Sequence, residues 1–135
     1  MPERQAAYDL MANKKVRPEA LLAATASSTA RRCAELEHVY VAVDGSSLVL
    51  TDRAKSKPLG SIGKRDFPTR GLKVVNAVAV APNDKFEGVL DVKFWARGAS
   101  KSKQSRYLRR RSRDTEMRHW SAAVKSVSKV LKAHA

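Results

Sequence analysis

Residues 39–48 read VYVAVDGSSL and give the clearest indication of the fold. The five residues before Asp44 are apolar and mostly β-branched or aromatic, which is typical of a strand buried on both faces. Gly45 and two serines follow at once, so we expect the strand to break or bend just after Asp44, and a short extension through Leu48 to Leu50 is the alternative. A carboxylate at such a strand end is well placed to hold a divalent metal ion. Asp also favours ordinary turns, and on its own Asp44 favours that simpler interpretation.

Two helices are expected ahead of this strand. Residues 2–12 repeat small and apolar side chains at helical spacing, and residues 13–15 interrupt the pattern. Pro18 is a favourable first residue for a second helix, which we expect to continue to about Leu36. The inward side of that helix is predicted from residues that recur every three or four positions, namely Leu22, Ala26, Ala30, Cys33 and Leu36.

Two more strands are expected after the Asp44 strand. Residues 52–70 combine Gly, Pro and Lys or Arg, which predicts a long basic loop of the kind that is often functional. Residues 72–81 predict a second strand, 82–85 a turn and 86–95 a third strand. In the third strand the alternation predicts a core face and a wet face. The core face is expected to hold Phe86, Leu90, Val92 and Phe94, and the wet face Glu87, Asp91 and Lys93.

A last helix is expected near the end of the chain. Asp114 is a suitable N-cap, and a stripe of apolar residues follows at helical spacing. The stripe, which we expect to pack on the sheet, consists of Met117, Trp120, Val124, Val127 and Leu131.

The charge of the chain is very uneven. Up to Asp52 there are 6 Lys or Arg and 7 Asp or Glu, whereas from Arg53 onward there are 21 and 6, and the formal net charge is +14. A basic half beside a nearly neutral half indicates a polyanionic partner, and DNA is the expected one. A solubilising charged loop is the alternative. Nothing in the pattern indicates recognition of a particular base sequence.

The candidate DNA-binding residues come from the loop at 52–70 and from a basic loop at 97–113. The second loop contains four serines, one aromatic residue and no acid, and its arginines suit bidentate contact with phosphate. The candidates are Lys64, Arg65, Arg70, Arg97, Lys101, Lys103, Arg106, Arg109, Arg110, Arg111 and Arg113.

Several classes of protein are disfavoured. The single cysteine, Cys33, excludes an internal disulfide and fits a reducing cytoplasm, and its Ala-rich surroundings predict a small core residue. The histidines show no zinc-ligand spacing. No apolar run is long enough to span a membrane and no signal peptide is evident, so we expect no membrane partner.

The order of elements predicts an α/β chain with an α+β start, incomplete as a domain. We expect a helical lead-in over 1–37. Over 38–135 we expect the first half of a ribonuclease H-like fold, a three-stranded antiparallel meander plus a helix. The sequence also resembles bacterial insertion-sequence transposases of the Asp-Asp-Glu type, the IS-four group that includes the transposon-five enzyme. The resemblance lies in residues 6–8, 16, 19–22, 29–32, 43–48, 59–63, 70–72, 88–90, 95–97, Glu116 and Trp120.

The resemblance implies that Asp44 is the family's first catalytic and metal-binding acid. Family members cut and join DNA with two divalent ions, Mg²⁺ or Mn²⁺, held by two Asp and one Glu. The second Asp and the Glu belong to elements that would come after Ala135, so we expect a truncated fragment, inactive alone and without a tightly bound metal. Such a fragment is expected in the cytoplasm of a bacterium, associated with the nucleoid where it binds DNA.

Two alternatives remain open. A partner chain, such as a full-length transposase, supplies the missing acids and completes a metal-dependent nuclease. Otherwise, the chain is a small basic nucleic-acid-binding protein without recombinase function. Residues 39–43 are also expected to form an apolar sheet edge that favours self-association, because no further strand follows to cover them.

Overall fold

The computed structural model describes residues 2–62, 69–97 and 115–135. These residues form three helices and a four-stranded antiparallel sheet, an α+β fold. The helices are α1 (Pro2–Ala12), α2 (Pro18–Cys33) and α3 (Glu116–Lys132). The strands are β1 (Tyr40–Val49), β2 (Gly60–Ser61), β3 (Arg70–Val80) and β4 (Phe86–Trp95).

The long strands form a meander with β3 in the centre. β1 pairs with β3 along its whole length, and β4 pairs with the other side of β3. The short β2 also pairs with the start of β3, so that Gly71 lies between Val49 of β1 and Gly60 of β2. The expected meander is therefore confirmed, and β1 lies at the edge of the sheet as the sequence predicted.

One face of the sheet carries the core. α2 packs over β4, and α3 lies mainly over β3 and β4. The core contains residues of the helices and of the sheet, and most of them are small, which lets the two layers approach closely. They are Ala30, Cys33, Ala77, Ala79, Leu90 and Val127. Cys33 is a buried core residue, as expected, and burial raises the pKa of its thiol. A neutral, covered thiol is chemically inert.

The strand over residues 39–48 differs from its prediction in two respects. β1 does not break or bend after Asp44 but continues to Val49 in unbroken register with β3, and Gly45 lies within the strand beneath the indole of Trp120. An added Cβ at Gly45 would lie 2.7 Å from Cζ2 of Trp120. β1 is also not buried on both faces, since Val41 and Val43 are partly covered while Tyr40 is 60% exposed. Asp44 therefore occupies mid-strand, on the face that α2 and α3 leave open.

The prediction for β4 was wrong about its faces. Register shifts between Ala77 and Val78 and between Ala79 and Val80 reset the alternation. Leu90 is fully buried as expected, but Asp91 is also buried and Glu87 nearly so, whereas Phe86 and Phe94 are exposed. The buried acids are neutralised by ion pairs, Asp91 with Lys93 at 3.0 Å and Glu87 with Lys85 at 3.1 Å. A bulge changes which side chains face the core, and alternation alone does not reveal it.

The stripe predicted for the last helix is partly wrong. Val127 is buried and Trp120 and Leu131 are partly covered, but Met117 and Val124 are exposed. Ala123 is fully buried in their place. The helix begins after Thr115, and the proposed cap Asp114 lies outside the described residues. Of the remaining boundaries, α1 and β4 match their predictions, and α2 ends at Cys33 rather than near Leu36.

Candidate nucleic-acid interface

Asp44 lies in the middle of the open sheet face. It is exposed, and its partner across the sheet is Asn76 of β3, which in turn pairs with Val92 of β4. Ala42 and Ser46 flank it on the same face of its own strand. Asp44, Asn76 and Val92 thus lie side by side across the three long strands, and they supply one carboxylate and one amide.

These surroundings do not fit a two-ion centre of the transposase type. Such a centre needs several carboxylates that converge from different elements, because magnesium takes few protein ligands for each ion. Among the described residues no group of three His, Cys, Asp or Glu side chains is placed to hold a metal. The acids Glu87, Asp91 and Glu116 are each paired with a cation elsewhere in the fold. We therefore derive no metal-dependent step from Asp44.

Arg70 supports the loop that precedes β2. Its guanidinium lies 3.5 Å from the carboxylate of Asp52 and donates a hydrogen bond to the carbonyl oxygen of Lys57. The side chain of Asp52 is 2% exposed and also accepts from the backbone N–H groups of Ser56 and Lys57. Arg70 was predicted to contact DNA, and the structure gives it a partner inside the protein.

Arg97, another predicted DNA contact, pairs with Glu116. The Arg97 guanidinium donates a hydrogen bond to Oε1 of Glu116, and this contact joins the residue just after β4 to the first residue of α3. That hydrogen bond lowers the pKa of the Glu116 carboxyl below its usual range, and the positive charges of Arg97, Lys73 and His119 act in the same direction. Glu116 therefore stays ionised and holds Arg97 in place.

A second contact joins the same two elements. The rings of Trp95 and His119 are stacked, with centroids 4.0 Å apart and planes 8° from parallel. Together with the Arg97–Glu116 pair, this stack fixes the last residue of β4 against the first turn of α3. We call these four residues, Trp95, Arg97, Glu116 and His119, the clamp. They lie at the corner of the fold where the end of β4 meets the first turn of α3.

The other predicted DNA contacts lie outside the described residues. They are Lys64, Arg65, Lys101, Lys103, Arg106, Arg109, Arg110, Arg111 and Arg113.

A row of cations on α3 is absent from the candidate DNA contacts predicted from the sequence. Helical geometry of 100° per residue places four basic side chains within about 60° of one another, on the side opposite buried Ala123 and Val127. We call this row the basic stripe, and all four of its members are exposed: Arg118, Lys125, Lys129 and Lys132. The spacing of 7, 4 and 3 residues is visible in the sequence. The pattern of the last helix already places Lys125, Lys129 and Lys132 off its apolar stripe, and Arg118 extends the row toward the start of the helix.

The charge of the basic stripe is not neutralised within the described part of the chain. None of its four cations takes part in an ion pair there. The only acid of α3 is Glu116, which is paired with Arg97. Small residues, Ser121, Ala122 and Ser128, lie between the cations and allow a ligand to approach the helix closely. This arrangement is suited to a linear polyanion.

The length of the basic stripe also suits a duplex. Arg118 and Lys132 are separated by about 21 Å along the helix axis, at 1.5 Å per residue. Double-stranded DNA carries about 12 phosphate charges over that length. The first member of the stripe, Arg118, lies between Glu116 and His119 of the clamp.

Comparison with known proteins adds no family assignment. A scan against models of protein families finds no match, and a search of curated proteins finds none either. None of the helices in the described ranges is long and apolar enough to cross a lipid bilayer.

Proposed function

We propose that the chain binds nucleic acid, DNA in the first instance, through phosphate contacts and without reading base sequence. The observation that carries this proposal is the basic stripe, four exposed cations on one side of α3 that form no ion pair with the residues at 2–62, 69–97 and 115–135. The net charge of +14 supplies a long-range attraction for a polyanion in addition to the local contacts.

The resemblance to Asp-Asp-Glu transposases extends this proposal. We infer a relative of these enzymes that binds DNA but does not cut it on its own. Two features support this inference. β1, β3 and β4 follow one another as an antiparallel meander with α3 after them, and Asp44 lies on the first of these strands. The lack of converging carboxylates around Asp44 in the described ranges supports the absence of catalysis.

Neutralising the basic stripe tests DNA binding. We expect the variant Arg118→Gln, Lys125→Gln, Lys129→Gln, Lys132→Gln to bind a labelled duplex about a hundredfold more weakly near 0.1 M salt. The slope of log affinity against log salt is expected to flatten by up to about 3.6 units, because each of the four lost phosphate contacts removes about 0.9. Fluorescence anisotropy over about 50–200 mM salt measures both quantities.

The N-terminal region provides a control with the same loss of charge. Arg4, Lys14, Lys15 and Arg17 are exposed and lie on or near α1, away from the stripe in sequence. Changing these four to Gln is expected to alter the slope by less than one unit, since they act only through net charge. Equal losses in the two variants would mean that the stripe is not the interface.

The purified chain is expected to show no cutting or joining of DNA with Mg²⁺ or Mn²⁺, because the described part offers one family acid where three are needed. Conversion of supercoiled plasmid to nicked or linear forms is the measurement, with Asp44→Asn as the matched variant. Nicking that requires metal and disappears in Asp44→Asn would contradict the expectation. Nicking that persists in that variant would point to a contaminating nuclease.

A further inference from the structure

The two outer edges of the sheet differ in how they are protected. β4 carries two register shifts, a glycine with φ of 144° at Gly88, and the charged residues Glu87, Asp91 and Lys93. Bulges and charges of this kind prevent an edge from pairing with another chain. β1 has neither a register shift nor a glycine with positive φ. It pairs with β3 without a register shift over ten residues, contains no Pro, Lys or Arg, and carries a single charge, Asp44.

Apolar side chains are also exposed at both ends of β1. Tyr40 is 60% exposed at the start of the strand, and Leu48 and Val49 are 41% and 70% exposed at its end. In the described part of the chain, β1 has no strand partner other than β3. A long, flat, apolar edge is the surface on which another strand adds.

We propose that β1 pairs antiparallel with β1 of a second copy of this chain, around a twofold axis at Gly45. The occupant is identified by the sequence of the strand, which is complementary to itself: apolar residues lie at 40–43 and 48–50, and polar or small residues at 44–47. A twofold interface requires such self-complementarity. The facing pairs are Tyr40 with Leu50, Val41 with Val49, Ala42 with Leu48, Val43 with Ser47, Asp44 with Ser46, and Gly45 with Gly45. This inference does not depend on nucleic-acid binding.

The charge of Asp44 selects this register over its neighbours. Moving the axis to Asp44 would place the two carboxylates directly opposite each other, which destabilises a strand pair. Moving it to Ser46 would place Asp44 opposite Leu48. With the axis at Gly45, each carboxylate faces a hydroxyl, and the exposed apolar residues at the two ends cover one another.

The twofold axis determines the side on which the helices lie. An axis that relates two antiparallel strands is perpendicular to the sheet, so both α3 helices lie on the same side. The indole of Trp120 extends over Gly45, while α3 itself sits mainly above β3 and β4. The two indoles therefore meet above the pair of glycines at the axis.

The interface is small, so the expected dimer is weak. A single pair of ten-residue strands falls at the low end of specific interfaces. The net charge of +14 on each copy opposes association and is screened by salt. We therefore expect a monomer–dimer equilibrium that shifts toward dimer as salt rises, observable by sedimentation equilibrium.

Two substitutions at one exposed position test the register. In Ser46→Asp, the new carboxylate of each chain faces Asp44 of the other chain, so the dimer contains two like-charge pairs. We expect about tenfold weaker association. In Ser46→Lys, the new ammonium faces Asp44 twice, and we expect tighter association by a similar factor despite the added positive charge. Ser46 is exposed in the monomer, so both chains should unfold with near-normal midpoints, measured by circular dichroism. Equal dimer affinities in the two variants, or a wild-type chain that stays monomeric at every salt concentration, would overturn the proposal.

Cysteine trapping gives an independent test of the same register. Oxidising a mixture of Asp44→Cys and Ser46→Cys chains is expected to form disulfides only between the two types of chain, because facing residues have Cα separations that suit a disulfide. Buried Cys33 is common to all samples and serves as the internal control. Cross-linking of Asp44→Cys with itself would place the axis at Asp44. Cross-linking of Ser46→Cys with itself would place it at Ser46. Either result overturns the proposed pairing, as does the absence of cross-links in the mixture.

Discussion

Replacing Arg109, Arg110 and Arg111 together with Ala is expected to flatten the slope of log affinity against log salt by up to about three units. The reason is counterion release, since each phosphate contact by a Lys or Arg contributes about 0.9 to the slope on double-stranded DNA. Binding at low salt should weaken by more than a hundredfold. Anisotropy titrations with several unrelated duplexes measure the slope and also show whether the loss is independent of sequence.

The same triple variant can be combined with the neutralised basic stripe. Arg97 and Glu116, which flank these arginines in the sequence, lie at the clamp close to Arg118 of the stripe, so we expect both groups of cations to contact one duplex. The slope should then fall by up to about six units in the combined variant, close to the sum of the separate effects. An unchanged slope in the triple variant alone would exclude phosphate contact by these arginines.

Gly71→Ala is expected to have the largest effect on stability, about 3 kcal/mol or more of the free energy of unfolding. Gly71 is buried and paired on both sides, with Val49 and with Gly60. An added Cβ would collide with the carbonyl oxygen of Leu48 and with Cδ1 of Ile62. A backbone oxygen within a strand pair cannot move aside without breaking that pair. Such a loss is a large share of the stability of a domain of this size.

Gly45→Ala provides the matched comparison. Its added Cβ would meet only the side chain of Trp120, which can shift within its rotamer, so a smaller loss of about 1 kcal/mol is expected. Urea denaturation followed by circular dichroism compares the two variants with the parent chain. If Gly71→Ala unfolds at the same urea concentration as Gly45→Ala, the close packing of β1, β2 and β3 around Gly71 is not as described.

The sequence was sufficient to predict the helices and the three long strands, but not the short β2 within the predicted loop at 52–70, nor the faces of the strands. Pro18 and the turn at 82–85 mark boundaries through backbone chemistry that is local, so the positions of α2 and β4 followed from them. The exposure of Phe94 and the burial of Asp91 depend on bulges that arise only when β4 meets β3. The continuation of β1 through Gly45 likewise depends on its pairing with β3, which is distant in sequence.

The candidate interface was predictable only in part, because some of its features follow from composition and others depend on tertiary contacts. The excess of arginine between 97 and 113 is a matter of composition and needs no structure to be noticed. The internal partners of Arg70 and Arg97 depend on tertiary contacts with Asp52 and Glu116, which no spacing rule reveals. The basic stripe is the opposite case, because its helical spacing is present in the sequence, where Lys125, Lys129 and Lys132 lie off the apolar stripe of the last helix.

The clamp also affects how the chain can change over evolutionary time. Contacts of Trp95, Arg97, Glu116 and His119 hold β4 and α3 together, so the position of α3 on the sheet is set by pairs of side chains in addition to the covalent connection. A substitution at one of these four positions removes the contact that its partner makes across the corner. We therefore expect the two pairs, Arg97 with Glu116 and Trp95 with His119, to vary together in descendants of this sequence.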